Sequence, residues 1–414
     1  MMGGGMSLRV TILALVALTL AGCASPPDLR RQPEATPAVL AAFRGDPPVA
    51  TAADWTRRAP LLRQALLDAV YGQPPELGAA VVEAREKLIL PDTDGMDMEQ
   101  WTVRMGDGSN RRRFHMLVAS PRGVTAAPLI IMELFCSTRN AVKGRPDSIF
   151  EDVAALPEPC RSHELDPVLT VILGKRISGP DFRQLAERGY AVALFYPGEV
   201  VPDDQVLAPP AIAALSPGVP ADKRAGALVV WANLFSKAYD VLSVDPRFDA
   251  KKIVAWGHSR YGKASLLAGA LDPRFAAVIA HQSGRGGASL TRSIAGESLA
   301  QITSSYGFWF TPGYARGVPA DVDQHQLIAL NAPRPVLLGT GRGDSWSDPA
   351  GAFKAAQGAD PAYRLLGSPG FNATGLSDYR PEDGLVWWSR PLGHGVTTAD
   401  WRAFLEFLDT HLDR

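Results

Sequence analysis

The stretch Ile253-Val254-Ala255-Trp256-Gly257-His258-Ser259-Arg260-Tyr261-Gly262-Lys263 decides how this chain is read. Its first four residues form a short apolar run suited to a buried strand, and from Lys263 to Ala270 the pattern is helical. Between them stands a serine flanked by glycines. A serine held in a sharp strand-to-helix turn projects its hydroxyl above a sheet, where helix-start N–H groups can face a developing oxyanion. The general pattern is Gly-x-Ser-x-Gly. Here Tyr261 stands where the second glycine is expected and Gly262 follows. The competing reading, a serine that merely caps the helix, does not account for its placement behind an apolar strand.

Outward from this turn, strand-like and helix-like segments alternate. Pro128 to Met132, Tyr190 to Phe195, Val278 to Ala280 and Val336 to Leu338 read as strands. Phe182 to Arg188, Asp222 to Leu242 and Trp401 to Leu412 read as helices. That order predicts an α/β fold with a mainly parallel central sheet and helices on both faces. At 414 residues, 46% hydrophobic and 21% charged, the chain can fill one large core. The 42 basic and 43 acidic residues give a formal net charge of -1, which argues against a nucleic-acid partner. Arg111-Arg112-Arg113 is the largest basic cluster and reads as a solvated strand end.

A serine hydroxyl needs an imidazole to take its proton and a carboxylate to orient that imidazole. In the α/β-hydrolase class the chain order is serine, acid, histidine. His281, His325 and His394 follow Ser259 on plausible loops. His394, in Leu392-Gly393-His394-Gly395 before the last helix, is the expected base, and His281 and His325 are expected to be hydrogen-bonded wall residues. His258 is expected to point elsewhere along the turn.

The segment Gly-His-Ser-Arg-Tyr-Gly-Lys at 257–263 resembles the signature of the glucuronoyl esterases, carbohydrate esterase family 15. Further segments resemble that family in the same order: Tyr190 to Pro202 with its Phe-Tyr-Pro-Gly-Glu-Val, Trp231-Ala232, Ser283 to Ala288, Gly296-Glu297, Phe308-Trp309-Phe310, Asp323-Gln324-His325, Ala332 to Pro335 and Asp344 to Pro349. The resemblance implies a metal-independent serine esterase acting on esters between 4-O-methyl-glucuronic acid of xylan and lignin alcohols. It implies an oxyanion role for Arg260, sugar contacts from Lys263, and a ring cover from Trp346. Two positions depart from it. Where the family carries a Glu or Asp after the strand at 278–280, this chain has Gln282. Where a glutamate faces the sugar, it has Gln326. An amide cannot carry the charge that stabilises an imidazolium. The acid is therefore assigned to Asp344, two residues before Trp346, with Asp348 and Glu297 in reserve and a plain turn residue as the competing reading of Asp344. Gln282 and Gln326 are expected to keep substrate contacts as hydrogen-bonding groups. Alternative readings are an esterase on another carbohydrate ester, such as acetyl-xylan, or a uronate-binding protein without turnover.

No cofactor is expected. There is no His-Glu-x-x-His, the cysteines lack ligand spacing, and Gly284-Arg285-Gly286-Gly287 does not open a helix as a dinucleotide loop would. Arg9, the apolar run Val10 to Leu20 and Leu20-Ala21-Gly22-Cys23 resemble a bacterial lipoprotein signal. The expected organisation is a signal peptide over 1–22, a Pro- and Ala-rich tether over 23–50, and one catalytic domain over 51–414. The only expected membrane contact is a lipid on Cys23, in the bacterial cell envelope, and a monomer is expected. Cys136 and Cys160 are free to pair in an oxidising compartment, and the sequence leaves open whether they do.

Overall fold

A computed structural model describes residues 36–108, 111–157, 160 and 179–412. The expected signal segment 1–22 and Cys23 lie outside the described residues. The nine-stranded sheet is built from β1 (Ala80–Leu88), β2 (Met96–Met105), β3 (Arg112–Pro121), β4 (Ala127–Glu133), β5 (Ala191–Phe195), β6 (Phe248–His258), β7 (Ala277–His281), β8 (Val336–Gly341) and β9 (Leu385–Arg390). Their spatial order is β1-β2-β3-β5-β4-β6-β7-β8-β9. Every neighbouring pair from β5 to β9 is parallel. The first three strands form an antiparallel flank joined to β5.

Strand burial explains the layers. β4 is buried along its whole length, as a strand covered on both faces must be. Leu129 and Ile131 point into one core, while Ile130 and Met132 point into the other. The same alternation divides Ile253 and Ala255 from Val254 and Trp256, since successive side chains leave a strand on opposite faces. The first core is closed by helices α1 (Ala52–Leu66), α4 (Ala227–Leu242), α5 (Arg260–Leu271), α7 (Gln324–Ala329) and α8 (Pro349–Leu365). The second is closed by α2 (Phe182–Glu187) and α9 (Thr398–His411), through Phe182, Leu185, Trp401, Phe404 and Leu408. Two shorter helices, α3 (Ala208–Leu215) and α6 (Leu299–Tyr306), lie in the connections. The result is a three-layer α/β-hydrolase sandwich.

Three expectations are corrected. The tether does not reach residue 50. Val39, Phe43 and Val49 are buried in the first core, and Arg58 of α1, 1% exposed, gathers this segment. Its guanidinium pairs with Asp46 at 2.8 Å and donates to the Ala41 and Pro47 carbonyls at 2.6 Å each. Helix α4 starts at Ala227 rather than Asp222, because 221–223 form a separate short turn before Gly226. Helix α5 begins immediately after Ser259, three residues earlier than the pattern indicated.

Cys136 and Cys160 are joined by a disulfide with Cα atoms 5.6 Å apart. The bridge closes the segment that follows β4, and Phe135 beside it packs on Tyr261 and His258 at ring separations of 5.0 and 5.7 Å.

Candidate active site

Parallel strands deliver their carboxyl ends to one edge, and ligand crevices form outside that edge. Ser259 follows β6, Gln282 follows β7, Asp344 lies beyond β8 and His394 beyond β9. Four consecutive strand ends therefore bring together residues spread over more than a hundred positions.

Ser259 has φ 56° and ψ −122°, the strained left-handed geometry of a nucleophile turn. Its N–H donates to the His281 carbonyl at 2.8 Å, locking the turn to β7. A Cβ at Gly257 would stand 1.9 Å from the Tyr261 carbonyl oxygen, and one at Gly262 would meet the His281 and Gly257 carbonyls at 3.0 and 3.1 Å. These two contacts fix the glycine positions. The residue between them is free to be large, and Tyr261 is buried against Trp231 and Phe135. That is the physical reason for the displaced second glycine.

His394 Nδ1 lies 2.7 Å from Asp344 Oδ2. The remaining ring nitrogen, Nε2, takes no part in this pair. The ring is placed beside the turn, 4.7 Å between centroids from that of His258, the residue before Ser259. Asp344 is 3% exposed. Burial pushes its carboxyl up, but the His394 imidazole and two donors from Ser347 outweigh this and hold it below the usual carboxylate range. Asp344 is thus the carboxylate that holds His394. The reserves are engaged elsewhere: Asp348 accepts from Ser289 Oγ at 2.6 Å and caps α8 through Gly351 N–H at 2.9 Å. Glu297 is buried and faces Lys263, which works against the burial that raises its carboxyl.

Arg260 opens α5, so its backbone N–H is among the donors that a helix start leaves free. Its guanidinium lies 4.9 Å over the Trp309 ring and 5.3 Å over Tyr306, with Asp203 as its ion-pair partner. The other Asp203 oxygen accepts from Trp309 Nε1 at 2.8 Å. Burial works to lower the Arg260 pKa, yet Asp203 with Tyr261 and Tyr306 raises it, so the cation persists. Asp203 is a site residue that the sequence reading missed. It lies 57 positions from Arg260 in a loop with no motif of its own.

Lys263 is 5% exposed and donates to the Ser283 carbonyl. Burial lowers its ammonium to about 8, against the pull of Glu297. Trp346 is 41% exposed at the rim, and its carbonyl accepts from Glu297 N–H at 2.9 Å, which joins rim to floor.

Two expected substrate contacts are corrected. Gln326 is 2% exposed and completes the cap of α7, accepting from Asp323 N–H at 3.2 Å and donating to the Asp321 carbonyl at 2.8 Å. Gln282 is also 2% exposed, and both ends of its amide are taken by the loop around His394. His258, expected to point away, instead reaches Gln282 and faces His394. His281 is the expected hydrogen-bonded wall residue, with Nε2 3.1 Å from the Gly395 carbonyl oxygen. His325 is fully buried, packed close to Gly358 of α8.

Comparison with known proteins agrees with this geometry. A family model described as "Glucuronyl esterase, fungi" matches residues 219–367. The carbohydrate esterase MZ0003 of an unknown prokaryotic organism is 39% identical over 234 residues, 54% of each chain. The 4-O-methyl-glucuronoyl methylesterase 1 of Wolfiporia cocos is 31% identical over 164 residues, 36% of this chain and 40% of that one. The chain thus spans about half the length of these curated relatives. Among solved structures, a promiscuous CE15 esterase from a marine bacterial metagenome superposes with TM-score 0.81 at 28% identity, covering 93% of this chain and 99% of that one. A glucuronoyl esterase from Solibacter usitatus superposes with TM-score 0.77 at 28% identity, covering 92% and 99%. The turn at Ser259, the carboxylate beyond β8, the histidine beyond β9 and these likenesses point the same way: the chain has the α/β-hydrolase fold and is similar to the glucuronoyl esterases of carbohydrate esterase family 15.

Proposed function

We propose that this protein is a serine carboxylesterase that hydrolyses esters of 4-O-methyl-glucuronic acid through an acyl-enzyme. The observation that carries the reading is the His394–Asp344 pair, 2.7 Å apart, set on the strand ends beside a strained Ser259. Ser259 Oγ attacks the ester carbonyl as His394 Nε2 takes its proton. Asp344 holds the Nδ1–H and stabilises the imidazolium. The carbonyl oxygen becomes an anion facing the Arg260 N–H and guanidinium, which Asp203 and Trp309 hold in place before reaction, so no reorganisation is needed when charge appears. Collapse breaks the bond to the alcohol, which leaves with the proton from His394. Water, deprotonated by His394, then clears the acyl group as the free uronic acid. Lys263 and Glu297 supply a donor and an acceptor for sugar hydroxyls, and Trp346 offers an exposed ring for stacking. The lipobox-like Leu20-Ala21-Gly22-Cys23 supports delivery of the enzyme to the bacterial envelope on a lipid anchor.

The test is hydrolysis of benzyl glucuronate beside an acetylated sugar. Turnover of the glucuronate ester is expected. Turnover of the acetyl ester alone would keep an esterase and remove the uronate assignment, and turnover of neither would favour a binding protein.

A pH dependence follows from Lys263. Its ammonium is the charged donor below about pH 8 and is lost as pH rises through that value. The KM for a glucuronate ester is therefore expected to rise as pH passes about 8, by roughly tenfold for a charged hydrogen bond. In Lys263→Gln the KM should be raised already and flat across the window, and a wild-type KM that is flat there would remove the contact. The sign for stability is opposite. Because the folded pKa of about 8 lies below the free value of 10.5, the unfolded chain binds the extra proton between them, and this group's contribution to stability rises with pH across that interval.

A further inference from the structure

Gln282 stands at the end of β7, where the family resemblance led to the expectation of a carboxylate, and the structure gives its amide a defined task. Its Nε2 donates to the Gly393 carbonyl at 3.0 Å, and its Oε1 accepts from Gly395 N–H at 2.8 Å. These are the residues on either side of His394. The orientation of the amide is set by its partners, since only oxygen can accept from a backbone N–H and only nitrogen can donate to a carbonyl. Its own backbone is fixed as well: φ is 50°, and its N–H donates to the Gly339 carbonyl at 2.8 Å.

We propose that Gln282 is a positioning residue, a carboxamide clasp on the loop of the base, and that this loop requires an amide rather than a carboxylate. A carboxylate has acceptors only, so at this position it would keep the Gly395 bond and set an anion against the Gly393 carbonyl oxygen. Oε1 also lies 3.0 Å from His258 Nε2. An accepting Oε1 places the hydrogen on that nitrogen, and burial, then His394 and His281, keep His258 neutral. An imidazole 4.7 Å from His394 thereby adds no competing charge when His394 takes the serine proton. On its far side the loop is held by Arg390 Nη2 and His281 Nε2 at the Gly395 carbonyl, 2.6 and 3.1 Å, with Arg390 anchored by Asp400 at 2.8 Å. Asp344 therefore turns the ring, and Gln282 places the backbone that carries it. The two tasks are separate, which is why both residues are present.

The inference rests on the esterase reading, and its test uses the full chain with two variants. Gln282→Glu keeps the size and loses the donor, while Gln282→Met keeps the size and loses both bonds; if one does not fold, the other carries the test. Each is expected to lower kcat on benzyl glucuronate by about 10- to 100-fold, the scale of an ångström-sized misplacement. KM should stay within about twofold, because the groups assigned to the sugar remain in place. The proton between His394 Nδ1 and Asp344 should give a downfield NMR resonance in wild type that moves or broadens in both variants. A wild-type kcat with an unmoved resonance would overturn the clasp. So would recovery of Asp344→Asn by adding Gln282→Glu, because the side chain would then be addressing the imidazole itself. Failure of wild type to turn over the ester counts against the esterase reading alone, and the resonance still judges the clasp.

Discussion

Replacing Ser259 with alanine is expected to lower kcat on a glucuronate ester by a factor on the order of 10⁶, with the protein folded and KM little changed. The size follows from the chemistry. Without the hydroxyl there is no acyl-enzyme, and His394 and Asp344 lose the proton transfer that they assist. What survives is the binding site and the oxyanion donors, which together still give roughly 10³–10⁴ over the uncatalysed reaction. The substitution leaves the backbone strain in place, because alanine keeps the Cβ that makes φ 56° unfavourable. A thermal midpoint close to that of wild type should accompany the loss. Equal activity in both proteins would remove Ser259 as the nucleophile.

Asp344→Asn carries the second largest effect, a kcat loss on the order of 10⁴. The amide fits the same space but can present an N–H to His394 Nδ1, which favours the tautomer with the proton on Nε2, where it blocks acceptance from Ser259. The buried imidazolium also loses its counter-charge. Steady-state kinetics on benzyl glucuronate checks this, with an Asp348→Asn control. Asp348 is spent on Ser289 and the α8 cap, so its replacement should cost stability rather than the reaction. A loss in Asp348→Asn larger than in Asp344→Asn would reverse the assignment.

The parallel half of the fold was readable because its strands are short apolar runs between helical patterns, and Ser259 and His394 sit in glycine-marked turns beside them. The antiparallel flank was not. β1 alternates Val, Glu, Ala and Arg along an edge that is largely exposed, so no continuous apolar run announces it. The N-terminal segment misled through composition: its prolines read as a tether, while three well-spaced apolar side chains and a clamp from Arg58 dock it. For Gln282 and Asp203 the difficulty was of another kind. Gln282 was visible as a departure, but its partners are backbone atoms 111 and 113 positions away, which carry no residue signature. Asp203 finds Arg260 only once β5 and β6 lie on either side of β4. Gln326 stands where the family carries a sugar-facing glutamate, yet a capping glutamine and a sugar-facing one look alike until the helix start is known.

The side-by-side strand ends also bear on how such an enzyme can change over generations. Adjacent strands lie about 4.8 Å apart, so the ends of β7 and β8 offer two footholds a single side chain's reach from the same histidine loop. A carboxylate can arise at one end while another still serves at its neighbour, without displacing serine or histidine. Once the β8 end holds the acid, the β7 end is released from carrying charge and can take the amide that clasps the histidine loop. In this chain Asp344 occupies one foothold and Gln282 the other.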